Sequence, residues 1–108
     1  MAATFTLTGS MPLGNGMMLV VGEAVLSSSY AQTGEVLNLS SYLKSSSSPV
    51  VMLQCQDPTY ALYHDGGTAA AGTIQVYALA NGSEASAEAD LSSVYVNVVA
   101  FGQQVGTS

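Results

Sequence analysis

Short runs in which hydrophobic and polar residues alternate recur along the chain. In residues 4–8, Phe5 and Leu7 share one side of the run and threonines occupy the other. Residues 93–101 place three valines on one side in the same way. Because successive side chains of a strand point to opposite faces, this period of two predicts β-strands with one face buried.

Glycine, proline and Asn or Asp residues separate these runs into pieces too short for typical helices. An Asp-Gly-Gly turn at 65–67, between two runs rich in strand-forming residues, predicts a hairpin with a long Ala/Gly loop. Residues 40–46 and the alanines near 85–89 favour at most single helical turns. The predicted strands are 4–8, 17–26 with a bulge or bend at Gly22, 36–39, 50–54, 60–63, 73–77 and 93–101.

About seven short strands separated by turns predict an all-β fold, either a single antiparallel β-sandwich or a jelly-roll-like barrel. The length of 108 residues gives room for one domain. We divide the chain into an N-terminal arm or first strand at 1–13 and a β domain at 14–108. The segment 81–90 is polar and rich in small residues, and we expect it to be exposed and mobile.

Charged residues are rare, at 7% of the chain, and Lys44 is the one basic residue against seven acidic ones. The net charge of -6 excludes nucleic-acid binding, which needs clustered Lys and Arg, and argues against docking on anionic lipid. The longest apolar run, 17–21, is too short to span a bilayer. The N-terminus lacks the basic and apolar regions of a secretory leader, so we expect synthesis in a cytoplasm without export by a cleaved leader.

A catalytic set could be assembled only from Cys55, His64 and Asp65, since a thiol nucleophile needs a base and a group that orients the base. Cys55 follows an apolar run, where a lone cysteine behaves as a small buried hydrophobe. His64 precedes the predicted Asp-Gly-Gly turn, and we expect it to be solvated there. We therefore expect no enzyme activity.

Metal sites are also not indicated. One His and one Cys cannot form a zinc shell, and the acidic residues Glu84, Glu88 and Asp90 lack the pattern of a calcium loop. The glycines at 14 and 16 indicate a turn rather than a nucleotide-binding motif. We expect no cofactor and no metal.

Tyrosines lie on several predicted strands, at positions 60, 63, 77 and 95. Tyrosine on a strand packs across its neighbours with the hydroxyl at the rim, which favours a core role. The alternative is a face that binds protein or sugar.

Three segments resemble small virion structural proteins of tailed bacteriophages. The first segment begins with Gly14-Asn15-Gly16 and continues through an apolar strand to Gly22 and then residues 30–37. The second is Tyr60 to Asp65 followed by Ile74 to Tyr77. The third is Asp90 to Ser93, which leads into residues 94–102. The resemblance implies a capsid decoration, or cement, protein that binds the major capsid protein on the outer shell, clusters as a homo-oligomer with a trimer favoured, and stabilises the shell. It places the protein in the virion after synthesis in the bacterial cytoplasm.

The apolar residues before the β domain are the candidate contacts. We predict that Phe5, Leu7, Met11 and Leu13 touch the capsid or a neighbouring subunit, by strand addition or by draping across a neighbour. The alternative is that the first strand completes the domain's own sheet. A virion tail or fibre module that binds a host glycan or receptor is the second functional hypothesis, and a small cytosolic hydrolase or thiol enzyme is the third.

Overall fold

The computed structural model describes residues 2–105 and contains seven strands in two antiparallel sheets, which confirms the predicted all-β fold. One sheet has four strands in the order β1-β2-β7-β4, and the other has three in the order β3-β6-β5. This is the arrangement of a β-sandwich. Residues 2–105 hold no helix long and apolar enough to cross a membrane. The strands are β1 (Thr4–Gly14), β2 (Met17–Val25), β3 (Glu35–Val36), β4 (Val50–Cys55), β5 (Tyr60–His64), β6 (Thr73–Ala78) and β7 (Tyr95–Gln103).

The central pair of the larger sheet joins distant parts of the chain. β2 and β7 run antiparallel in unbroken register from Met17 opposite Gln103 to Val25 opposite Tyr95. Alternate residues of both strands are fully buried, and these include Val20 on β2 and Val98 on β7. The intervening residues therefore form the outer face of the sheet.

A single hydrophobic cluster fills the space behind this sheet. It draws on β2 and β7, on Ile74 and Val76 of β6 in the smaller sheet, and on leucines from the connecting segments. The core is thus shared by both sheets, and each sheet keeps one face outside it.

The first strand is longer than the sequence indicated, because β1 continues through Gly9 and Pro12 to Gly14. The register shifts between Leu7 and Gly9, which is a β-bulge. β1 is also the outermost strand of its sheet, where a proline is tolerated. The predicted boundary at 13/14 therefore falls inside a strand that pairs with the domain's own sheet.

We expected a bulge or bend in β2 at Gly22. The β2–β7 register passes through Gly22 without a shift, so β2 has no bulge there. The role of Gly22 is to make room for an aromatic ring on the neighbouring strand. A Cβ at position 22 would overlap the ring of Phe5 and the carbonyl oxygen of Thr6. Phe5 in turn meets Tyr42 edge to face, with ring centroids 5.9 Å apart.

The predicted strand 36–39 is wrong in extent, because β3 has only two residues. Residues 37–39 form a loop that is hydrogen-bonded to another loop. The N–H of Leu37 donates to the carbonyl of Gly72 at 2.8 Å, and the N–H of Leu39 donates to that of Ala69 at 2.7 Å. Both leucine side chains are buried. Leu37 and Leu39 are therefore apolar because they are buried against the loop before β6, and not because they belong to a strand of a sheet.

The segment 81–90 is mostly exposed, as expected, but it is anchored to the rest of the domain at Glu84 and Ala85. Ala85 is buried, and the carboxylate of Glu84 accepts hydrogen bonds from the Tyr30 hydroxyl at 2.6 Å and from the Thr33 N–H at 2.7 Å. The same Tyr30 hydroxyl accepts a bond from the N–H of Val76 at 3.1 Å. Burial, aided by Glu84, raises the pKa of Tyr30.

A second carboxylate, Glu35, is completely buried at the start of β3. It accepts two hydrogen bonds from Ser27, from the N–H at 2.9 Å and from the hydroxyl at 2.5 Å. These bonds compensate for part of the hydration that burial removes. No sequence pattern distinguished this glutamate from the exposed ones.

The Phe5–Gly22 contact predicts a selective loss of stability. Gly22→Ala should lower the free energy of unfolding by about 1–3 kcal/mol, because the added methyl group overpacks a filled site. Urea unfolding followed by circular dichroism measures this change. The matched control is Gly9→Ala, since a Cβ there would have nothing within 4 Å; equal losses in the two variants would contradict the assignment.

Candidate interaction surface

The outer face of the four-stranded sheet carries residues in rows that cross all four strands. One row holds Met52, Val99, Val21 and Gly9, and the next holds Val50, Phe101, Leu19 and Met11. We call these two rows the apolar patch. Met52, Val50 and Met11 are each more than half exposed, at 53%, 51% and 53%. Exposed apolar residues grouped in this way mark interaction sites more often than single ones do.

The apolar patch was not predicted from the sequence. The sequence predicts strands at 50–54 and 93–101, but it does not show that these strands lie side by side with their apolar residues exposed. The available signal was that β7 is apolar on both faces near its end, at Ala100 and Gly102 inside and at Val99 and Phe101 outside. In a strand that is covered on one face only, apolar residues should alternate with polar ones.

Polar residues form the adjoining part of the outer face. The third row holds Gln54, Asn97, Glu23 and Thr6. The Asn97 side-chain amide donates to Gln54 Oε1 at 2.9 Å, and the Gln56 amide donates both to Glu23 Oε2 and to Asn97 Oδ1 at 2.9 Å. The outer face is therefore apolar towards the β1–β2 turn and amide-rich towards the other end.

Ionisable groups are almost excluded from this surface. Residues 1–22 contain no Asp, Glu, Lys, Arg or His at all. In the three rows described above, Glu23 is the one ionisable side chain. In a chain of net charge -6, this is a surface that a negatively charged partner could approach without close charge repulsion.

Two adjoining hollows indent the outer face on the β1 side. The first has a volume of about 230 Å³ and is lined by Thr8, Gly9, Ser10, Met11, Leu19 and Val21. The second, of about 420 Å³, lies beside it over the polar row and shares Thr8 and Val21 with the first. The β1 bulge and the missing side chain of Gly9 leave the first hollow open.

The hairpin end, which we define as residues 8–15, is exposed throughout. It turns through Asn15 and Gly16, whose φ angles of 55° and 75° are the positive values that a two-residue hairpin turn requires. This confirms that the glycines at 14 and 16 belong to a turn. Leu13, beside the turn, is 47% exposed.

The four predicted contact residues separate into two pairs. Phe5 and Leu7 lie on the inner side of β1 and pack against the chain's own core. Met11 and Leu13 lie in the exposed hairpin end. The contact prediction for all four stays a prediction, but only the second pair presents a large exposed surface.

The residues weighed for catalysis lie on different sheets. Cys55 ends β4 in the larger sheet, and His64 ends β5 in the smaller one. Burial raises the pKa of the Cys55 thiol, which disfavours the reactive thiolate. His64 is mostly buried, not solvated as expected: it packs on Gly72, its Nδ1 accepts a bond from the N–H of Gly66 at 3.0 Å, and burial lowers its pKa.

The neighbouring Asp65 carboxylate organises the turn after β5. It accepts bonds from the N–H of Gly67 at 2.8 Å and from the N–H and hydroxyl of Thr73, both at 3.0 Å. These bonds lower the pKa of Asp65. In the described part of the chain, no group of three or more His, Cys, Asp or Glu residues is placed to hold a metal ion.

The tyrosines divide between the core and the surface. Tyr60 packs against the core, whereas Tyr63 is 57% exposed on the smaller sheet. Tyr63 meets Tyr77 edge to face with ring centroids 5.5 Å apart. Tyr95, at 43% exposure, extends the outer face of the larger sheet beyond the polar row.

Comparison with known proteins identifies no relative: no protein-family model, no curated protein and no solved structure matches the chain.

The Asp65 turn generates a pH-dependent prediction. Because folding lowers the pKa of this carboxyl, its stabilisation is complete above the ordinary value of about 4 and is lost as the pH falls through the lower folded value. Asp65→Asn should therefore reduce the free energy of unfolding by about 1 kcal/mol at pH 7, a figure kept small by solvent screening. The difference from wild type should shrink below pH 4.

Urea unfolding at a series of pH values measures this difference. Glu88→Gln removes one carboxylate from an exposed position and serves as the control for net charge. A difference between Asp65→Asn and wild type that stayed constant down to the acid limit would show that the turn does not depend on the ionised carboxylate.

Proposed function

We propose that the protein is a non-enzymatic virion structural protein of the capsid decoration type. In this proposal many copies bind the major capsid protein on the outer shell and stabilise it, after synthesis in the bacterial cytoplasm. The resemblance in sequence to small phage structural proteins motivates the proposal. Its structural support is the uncharged hairpin end with its exposed Met11 and Leu13.

An uncharged, partly apolar hairpin suits attachment to a rigid surface. Leu13 and Met11 can bury apolar area without desolvating an ion, which is the costly step at charged interfaces. The strand geometry holds both side chains in place before binding, so less ordering entropy is lost than for a disordered tail. Modest affinity per copy is sufficient where neighbouring copies on a closed shell share contacts.

A tail or fibre module that binds a host glycan is the second candidate. The exposed ring of Tyr63, which meets the half-buried ring of Tyr77 edge to face, favours it, because sugar-binding faces use exposed aromatic rings. This pair lies on the smaller sheet, away from the hairpin end. Copy number separates the two candidates, since a fibre module is present in few copies and a decoration protein in many.

Quantitative mass spectrometry of purified particles from the source lysate tests the proposed function. We expect a ratio to the major capsid protein near one or a simple fraction of it. A handful of copies per particle would favour the tail or fibre module. Absence from particles would contradict both.

The hairpin end can be tested by a single substitution. Removing residues 1–12 is not a clean test, because it deletes most of β1 together with Phe5 and Leu7. Leu13→Ser should instead weaken binding to particles that lack the protein by about tenfold or more, as expected for loss of a buried leucine side chain. Co-sedimentation of added protein with such particles measures the affinity.

Leu79→Ser is the matched control, because Leu79 is 60% exposed and lies beyond the end of β6 in the smaller sheet. Both leucines are exposed, so neither change should alter the free energy of unfolding by more than about 0.5 kcal/mol. Equal binding of the two variants, at wild-type strength, would contradict a role for the hairpin end.

A further inference from the structure

The apolar patch has a protruding side and an indented side at opposite edges of the sheet. Met52, on the edge strand β4, is 53% exposed. Gly9, on the opposite edge strand β1, lines the hollow of about 230 Å³. Both residues belong to the same row, separated by Val99 and Val21.

This arrangement is self-complementary. Consider a second copy stacked face to face on the first. The two copies are related by a two-fold axis that lies midway between the two sheets, parallel to the strands and above the space between β2 and β7. The axis exchanges the two edges of the sheet and keeps every row in place. Met52 of each copy then lies over the Gly9 hollow of the other, which is how an isologous contact pairs a knob with a hole.

The other rows are compatible with the same axis. Val50 of one copy faces Met11 of the other, so apolar residues meet apolar residues. In the polar row, Glu23 of one copy faces Asn97 of the other and not a second Glu23. A carboxylate opposite an amide donor is favourable, whereas two facing carboxylates would repel.

The area is sufficient for a reversible dimer. The two central strands overlap over nine residues each, and the six residues of β4 limit the overlap at each edge. At about 4.8 Å between strands and about 3.3 Å per residue, the two copies together bury about 950 Å², the size of a weak, transient interface. Glu23 is the one carboxylate in the three rows. The other acidic residues give each copy most of its net charge, so added salt should strengthen the association by screening the repulsion between copies.

We propose that the outer face of the four-stranded sheet binds a second copy of this chain in a two-fold, face-to-face dimer in which Met52 enters the hollow at Gly9. The occupant is a second copy because the knob, the hollow and the polar row match under one symmetry operation. Leu13 lies beyond the two apolar rows, at the hairpin turn. The dimer therefore does not use Leu13, but it covers Met11, which the proposed function also uses, and it differs from the trimer that the resemblance implies.

Sedimentation equilibrium of the purified chain over a concentration series tests the dimer. We expect a monomer–dimer equilibrium with a dissociation constant in the micromolar range, tightened by salt. Met52→Asp should weaken it at least tenfold, and Gly9→Leu, which fills the hollow, should do likewise. Leu79→Asp, an equal change at a 60% exposed leucine outside the face, should leave it unchanged.

A cysteine pair tests the register directly. In a Cys55→Ala background, the Gly9→Cys, Met52→Cys double variant should form a covalent dimer with a short bismaleimide cross-linker, since facing sheets lie about 10 Å apart and their Cα atoms are too distant for a direct disulfide. The two positions lie about 14 Å apart within one chain, three strand spacings, which is farther than the span between facing copies. Each single variant should form little covalent dimer.

Four results would overturn the dimer: a monomer at all concentrations, a trimer, equal weakening by Met52→Asp and Leu79→Asp, or no covalent dimer from the cysteine pair. None of them bears on the copy number in particles. Conversely, absence of the protein from particles would remove the proposed function and leave the dimer intact.

Discussion

The pairing of β2 with β7 determines the rest of the structure. These strands are separated by about two-thirds of the chain, yet they stay in register from Met17–Gln103 to Val25–Tyr95. Because side chains alternate, this register sends Val20 and Val98 into the core and Val21 and Val99 to the outer face. A slip of one residue would exchange the two sets. The core and the interaction surface are therefore set by the same hydrogen bonds.

The outer face combines features that are rarely found together on a solvated sheet. It has two apolar rows and almost no ionisable groups, in a chain whose net charge of -6 comes from residues beyond position 22. The hollow at Gly9 and the protruding Met52 give the apolar rows a definite shape. The Cys55 thiol and the His64 imidazole, by contrast, are accounted for by packing within their own sheets. The shape and composition of the outer face support the proposed role in assembly.

Strand positions could be predicted from the sequence where alternation was strong, as at Thr4–Thr8 and in the hairpin of β5 and β6. The extension of β1 could not, because Gly9 and Pro12 signal a break unless the strand lies at a sheet edge. The burial of Glu35 and the anchoring of Glu84 depend on Ser27 and Tyr30, partners that no local pattern identifies. The apolar patch depends on β4, β7, β2 and β1 lying side by side, which is a property of the topology.

The most direct test is hydroxyl-radical footprinting of the chain when dilute and when concentrated enough to assemble. The probes are Met52 on the outer face and Tyr63 on the smaller sheet, which are similarly exposed at 53% and 57%. We expect assembly to protect Met52 from oxidation and to leave Tyr63 unchanged. Equal oxidation of Met52 in the dilute and assembled states, or protection of Tyr63 alone, would contradict the assignment of the outer face as the assembly surface.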